Sequence, residues 1–227
     1  MLKRNLLFIF AALTVSAFLY GAYWRLHRYD ERTITAAPSG DIRTAYFAGG
    51  CFWCTESDFE KLPGVTEAIS GYSGGTTTDP TYVSVSSHTT GHLEAVEVRY
   101  DPKVVSYETL VRYHFAHIDP TDPFGQFADQ GDSYTSAVFY QTEAERLAAL
   151  AEIGRLSDAR AYPKPIVTAI RAFERFYPAE AYHQDYWKKN SVRYGYYRSG
   201  SGRDRYLETA CQWRKAKNLS CEEAPTH

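Results

Sequence analysis

The chain has 227 residues, 44% of them hydrophobic, and a formal net charge of −2, enough for one globular domain with appendages and a properly buried core. So balanced a charge gives no hint of a nucleic-acid partner, and none is expected. Four cysteines, at positions 51, 54, 211 and 221, are too few to staple a scaffold, and their grouping suits a redox relay or a metal site better than structural bridging.

At the start of the chain, Lys3 and Arg4 precede an apolar run from Leu6 to Trp24. A positive start and such a run form an export signal, here close to the length that spans a bilayer. Tyr20, Tyr23 and Trp24 suit an interfacial belt. Residues 1–24 are therefore expected to be a signal anchor or a cleaved signal peptide, in contact with a membrane, with the body exported or anchored and periplasmic or otherwise extracytoplasmic. Residues 25–43, with Pro38-Ser39-Gly40, read as a polar linker. The body is expected over 44–207, and 208–227 as a tail that carries Cys211 and Cys221.

Within the body, Thr44 to Ala48 reads as a short buried strand and Thr55 to Lys61 as a helix. Val65 to Tyr72 is a second strand, ended by Ser73-Gly74-Gly75 and a Thr-rich loop. Leu93 to Tyr100 alternates apolar and polar residues as a half-buried strand does, and Asp101-Pro102 stops it. Ser106 to His117 has helix spacing. Asp119 to Tyr134 is a long loop rich in Asp, Gly and Pro, a length that usually marks function or disorder. Ser136 to Tyr140 is a strand, and Thr142 opens a helix with a capping box that runs to about Leu156. Ile166 to Phe173 reads as a strand and Ala179 to Lys189 as a helix. Interleaved strands and helices predict an α+β body, a mixed central sheet flanked by helices.

The most informative stretch is Gly49-Gly50-Cys51-Phe52-Trp53-Cys54. At a strand-to-helix junction, free N–H groups and the positive end of the helix dipole favour the thiolate, and two aromatics beside the sulfur predict a small apolar pocket. Cys51 and Cys54 lie one turn apart, which fits a thioredoxin-type exchanger, half of a zinc site, or a nucleophile with a resolving partner. Glu94 is either a solvent-facing position or, if buried, a general acid with a raised pKa. Tyr82 and Tyr134 fall in loops, packed or poised to donate to an oxyanion. Asp129 reads as a turn residue. His183 and Asp185 read as capping or core hydrogen bonders with no catalytic part.

Gly50-Cys51-Phe52-Trp53, Pro63-Gly64-Val65, Gly71-Tyr72-Ser73-Gly74-Gly75, Pro80-Thr81-Tyr82, Gly91-His92-Leu93-Glu94-Ala95-Val96, Asp129-Gln130-Gly131 and Ala181-Tyr182-His183-Gln184-Asp185-Tyr186 together resemble the peptide methionine sulfoxide reductase A family, over about 44–207. The resemblance implies that family's two-layer fold and the reduction of methionine-S-sulfoxide, free or in oxidised proteins, by a monomer that needs no metal or bound cofactor. It implies Cys51 as nucleophile on sulfur, Glu94 as the acid, Tyr82 and Tyr134 as donors to the sulfoxide oxygen, Asp129 as a positioning group, and Phe52 and Trp53 around the S-methyl. Cys51 would become a sulfenic acid, then a disulfide that thioredoxin or a similar dithiol reduces. The commonest family pattern has Gly where Cys54 stands and its resolving cysteine in a Gly-rich tail, and a related pattern with Cys-Phe-Trp-Cys often carries a tail cysteine where Ser201 stands. That leaves Cys54 as the first candidate for the resolving thiol, Cys211 as the second if the tail folds back, and Cys221 as a relay. The alternative activity is thiol–disulfide exchange through Cys51 and Cys54.

Overall fold

The computed structural model describes residues 40–221, so the apolar run at 1–24 lies outside the described residues. Six strands form the main sheet: β1 (Arg43–Gly49), β2 (Val65–Ser73), β3 (Leu93–Tyr100), β6 (Ser136–Tyr140), β7 (Ala169–Ala172) and β8 (Phe176–Pro178). Their order across it is β7-β6-β1-β3-β2-β8. All neighbours are antiparallel except the β6–β7 pair, so the sheet is mixed, as the interleaved pattern predicts. The helices are α1 (Phe52–Phe59), α2 (Tyr82–Ser86), α3 (Tyr107–Ala116), α4 (Glu143–Asp158), α5 (Tyr186–Lys189), α6 (Ser191–Gly200) and α7 (Arg203–Lys215).

Period-two alternation sorts side chains to the two faces of the sheet. Ala45, Phe47, Val96, Val98 and Val138 join Phe59, Leu110, Val111, Phe115, Ala149 and Leu156 in one large core. Tyr46, Ala48, Leu93, Ala95, Ala137 and Phe139 form a smaller cluster on the other face, covered by Phe173 and Phe176. Phe47 is 0% exposed, so Phe47→Ala would cost about 3–5 kcal/mol. β3 was expected to be half-buried. It sits between β1 and β2, and its first four residues are all buried, because both faces are covered there. Glu94 shares the phase of Val96 and Val98 and therefore faces the large core.

Three other expectations shift. The helix expected over Ala179 to Lys189 is only α5, because Phe176–Pro178 pairs with β2 as an edge strand and Asp185 takes a left-handed backbone (φ 53°). The Asp185 N–H donates to Glu56 Oε1 at 2.7 Å, and the Gln184 amide brackets the Ser70 backbone at 3.0 and 2.8 Å; side chains there replace helix hydrogen bonds. The long loop at 119–134 is organised by a two-residue hairpin, β4 (Gly125–Gln126) with β5 (Asp129–Gln130), and a 3₁₀ turn at Asp132–Tyr134. Finally, residue 207 lies inside α7, which runs unbroken to Lys215. Cys211 and Cys221 are joined to each other by a disulfide, where the sequence favoured a relay over a bridge.

Candidate active site

Gly50 turns the chain from β1 into α1 with φ +78°, and a Cβ there would lie 2.5 Å from Cβ of Gln126. Only glycine fits that backbone without strain. Cys51 follows as the N-cap of α1. The helix starts at Phe52, three residues earlier than the polar segment predicts, so Cys54 lies in its first turn. Both cysteines are free thiols, 5% and 1% exposed, in a cluster with Trp53, Tyr186, Trp187, Tyr194 and Tyr197.

Three of the N–H groups in the first turn of α1 are engaged away from the Cys51 sulfur. The Phe52 N–H donates to Glu94 Oε2 at 2.9 Å, and the N–H groups of Cys54 and Thr55 return to the Cys51 carbonyl. Burial pushes the Cys51 thiol well above its usual range, with further upward contributions from a hydrogen bond and charge at Cys54 and from Glu94 and Asp129. The hydrogen bond from Cys51 pulls Cys54 down to about 7 against its burial, and Arg203 and Arg198 favour its anion. Burial and the neighbouring acids thus work against a Cys51 anion, whereas the two arginines favour one on Cys54. Cys51 does stand at the strand-to-helix junction, as the sequence predicts.

Glu94 is 3% exposed. Burial raises its pKa to about 8, with the Phe52 N–H opposing and Asp129 and Cys54 adding to the rise, so the carboxyl holds its proton at neutral pH. Tyr82 opens α2 and Tyr134 ends the 3₁₀ turn, so neither is the plain loop residue expected. Each phenol is raised by burial, with Glu94 and Cys51 among the contributing charges. Glu180 fixes α2 by accepting the Tyr82 N–H at 2.9 Å.

Phe52 and Trp53 form the apolar wall. The Phe52 ring lies 4.9 Å from His183 and 6.4 Å from Tyr82; Trp53 stacks on Tyr186 at 3.8 Å and donates its indole N–H to His183 Nδ1 at 3.1 Å. Burial lowers the His183 pKa to about 4, which keeps the ring neutral and able to accept. Asp129 is more than a turn residue. It accepts a hydrogen bond from the Tyr197 hydroxyl, and Tyr197 packs into the same cluster as Cys51.

The structure thus gathers Cys51, Phe52, Trp53, Cys54, Tyr82, Glu94, Asp129 and Tyr134 into one site. It adds His183, Tyr197 and Arg203, which the sequence reading left without a role; the aromatic run at 194–197 was visible, but nothing in its spacing marked Tyr197. Cys211 and Cys221, engaged in their own disulfide, are not free thiols of this site. Among the described residues, Glu56, Glu60 and Asp185 have the spacing of cation ligands, yet Ser70, Trp187, Lys188 and Lys189 already engage their oxygens.

The sequence model described as peptide methionine sulfoxide reductase matches residues 43–215. The chain is 47% identical over 203 residues to peptide methionine sulfoxide reductase MsrA/MsrB of Vibrio cholerae, covering 89% of this chain and 52% of that protein; it spans about half the length of that relative. It is 48% identical over 170 residues to peptide methionine sulfoxide reductase MsrA of Bacillus velezensis, covering 75% of this chain and 95% of that one. The crystal structure of Mxr1 from Saccharomyces cerevisiae in reduced form superposes with a TM-score of 0.64 at 29% identity, covering 70% of this chain and 91% of the other.

Proposed function

Since the chain belongs to the peptide methionine sulfoxide reductase family, we propose that it reduces methionine-S-sulfoxide, free or within oxidised proteins, to methionine through Cys51. The observation that carries this reading is Glu94, a buried carboxyl tied to the Phe52 N–H and protonated to about pH 8. A reductase that must convert a sulfoxide oxygen into a hydroxyl needs such a proton donor beside its nucleophile.

In the proposed reaction Phe52 and Trp53 take the S-methyl group, and Tyr82 and Tyr134 donate to the oxygen as charge grows on it. Cys51, as its thiolate, attacks the sulfoxide sulfur while Glu94 protonates the oxygen. Methionine leaves, and the oxygen remains on Cys51 as a sulfenic acid, the reversible first step of cysteine oxidation. Cys54, already in the first turn of α1, condenses with it to a disulfide, and thioredoxin or a similar dithiol restores both thiols. Thiol–disulfide exchange on protein disulfides is not favoured, because the family match and the curated relatives are all methionine sulfoxide reductases.

The positive start and the apolar run to Trp24 support export or anchoring of this domain outside the cytoplasm; among the described residues no helix is long and apolar enough to cross a membrane. The reductase reading is tested with Cys51→Ser. It is expected to lose all reduction of a methionine-S-sulfoxide substrate, and retained turnover would overturn the reading.

A further inference from the structure

Trp53 is held on two sides by one short segment. Its indole N–H donates to His183 Nδ1 at 3.1 Å, and its ring stacks on Tyr186 at 3.8 Å. From His183 to Asp185 the chain belongs to no helix or strand, and Asp185 stands in a left-handed backbone at φ 53°. A residue other than glycine keeps that conformation only where its surroundings over-determine it.

Glu56 is central to those surroundings. It is 0% exposed, in the middle of α1. It follows Trp53 by three residues, so the two side chains are neighbours on the helix surface. Oε1 accepts the Asp185 N–H at 2.7 Å, and Oε2 accepts the hydroxyl of buried Ser70 on β2. A carboxyl so deeply buried is costly unless both oxygens keep their donors, which fixes the Asp185 main chain against α1. A circuit therefore closes. Trp53 reaches His183 by one hydrogen bond, the chain runs on to Asp185, a second hydrogen bond returns to Glu56, and one face of α1 leads back to Trp53. The other ties of the segment miss this loop. Gln184 fastens it to Ser70 in the sheet at 3.0 and 2.8 Å. Glu60 meets it beyond Tyr186, accepting the Trp187 indole N–H at 2.6 Å and Lys188 at 2.9 Å.

We propose that Glu56 is the positioning residue of the aromatic wall: by fixing the Asp185 main chain it sets where His183 and Tyr186 hold the Trp53 ring. That the ring so held receives the S-methyl group rests on the reductase reading; the grip on Trp53 does not.

The grip is tested in the full chain by hydrogen exchange of the Trp53 indole N–H, identified in the nuclear magnetic resonance spectrum by its loss in Trp53→Phe. Glu56→Ala is expected to speed that exchange about tenfold, the worth of one hydrogen bond, while the amides of β1 and β3 exchange as in the parent. Burial raises the Glu56 pKa to about 7, so a neutral side chain of the same shape suits the site. In Glu56→Gln the amide oxygen still accepts from Asp185 and the NH₂ meets the Ser70 hydroxyl, so exchange should stay near the parent rate. Unmoved indole exchange in the alanine variant overturns the proposal. So does equal acceleration of the sheet amides, or a glutamine variant that exchanges like alanine. If the alanine variant does not fold, Ser70→Ala decides. It removes only the hydroxyl behind Oε2 and should speed the indole exchange about threefold; an unmoved rate there overturns the proposal as well. The part played in catalysis is read separately with a methionine-S-sulfoxide substrate. KM should rise about tenfold in Glu56→Ala, with a smaller change in kcat, and return in Glu56→Gln. A loss confined to kcat would remove Glu56 from the substrate wall. Absence of turnover in the parent would sink the reductase reading instead, and leave the exchange result standing by itself.

Discussion

Oε2 of Glu94 accepts the main-chain N–H of Phe52 at 2.9 Å, so the strand that carries the proposed acid also pins the first turn of the helix that follows the nucleophile. One hydrogen bond thereby sets the distance between acid and cysteine and uses the N–H that would otherwise stabilise a Cys51 anion.

Glu94→Gln keeps the shape and removes the proton. The expected result is a fall of about 10²–10⁴ in the rate of sulfoxide reduction, with loss of the alkaline limb that Glu94 places near pH 8. A pH–rate profile with an unchanged alkaline limb in the variant would refute the assignment.

The same residue links pH to stability. Burial favours the protonated carboxyl, so its stabilising contribution is complete below about 4.5, the unperturbed value, and is lost as pH rises through about 8. Thermal unfolding of Glu94→Gln should therefore fall less between pH 5 and pH 8 than that of the parent. Parallel curves would show that Glu94 is not buried as an acid.

Gly50→Ala places a Cβ 2.5 Å from Cβ of Gln126 in a left-handed backbone. It is expected to destabilise the fold by about 1–3 kcal/mol from overpacking, with backbone strain in addition, and to depress activity with it. Denaturant unfolding checks the first and steady-state turnover the second.

His183→Ala leaves the Trp53 indole N–H without its acceptor. Since Trp53 belongs to the proposed methyl-binding wall, KM should rise by about tenfold, the worth of one hydrogen bond, while kcat changes less. A variant with unchanged KM would mean that the wall is held by Tyr186 stacking alone.

Tyr197→Phe removes the hydroxyl that donates to Asp129 beside Cys51. The expected outcome is a single-turnover rate reduced by about tenfold, consistent with one lost buried hydrogen bond, with little change in unfolding midpoint. Wild-type single-turnover kinetics would remove Tyr197 from the site.

Much of this site was legible before any fold was known. Strand β1, the glycine turn and Cys51 follow one another in sequence, and local turn chemistry decides their geometry. Glu94 was ambiguous because alternation alone cannot tell which face of a strand is covered; the pairing of β3 between β1 and β2 resolves it. The surroundings of Cys51 were only partly legible for a similar reason. A helix terminus favours an anion only if its N–H groups are unoccupied, and Glu94, 42 residues away in sequence, takes one of them. Tyr197 and Arg203 were invisible because α6 and α7 reach the site through long-range packing, with no motif of their own.

The most direct test of the whole account is peptide mass spectrometry of the full chain after one equivalent of methionine-S-sulfoxide, without reductant. The account predicts one methionine released per chain, a Cys51–Cys54 disulfide, and an unchanged Cys211–Cys221 bond. A disulfide joining Cys51 to Cys211 or Cys221, or methionine release with Cys51 still a thiol, would contradict it.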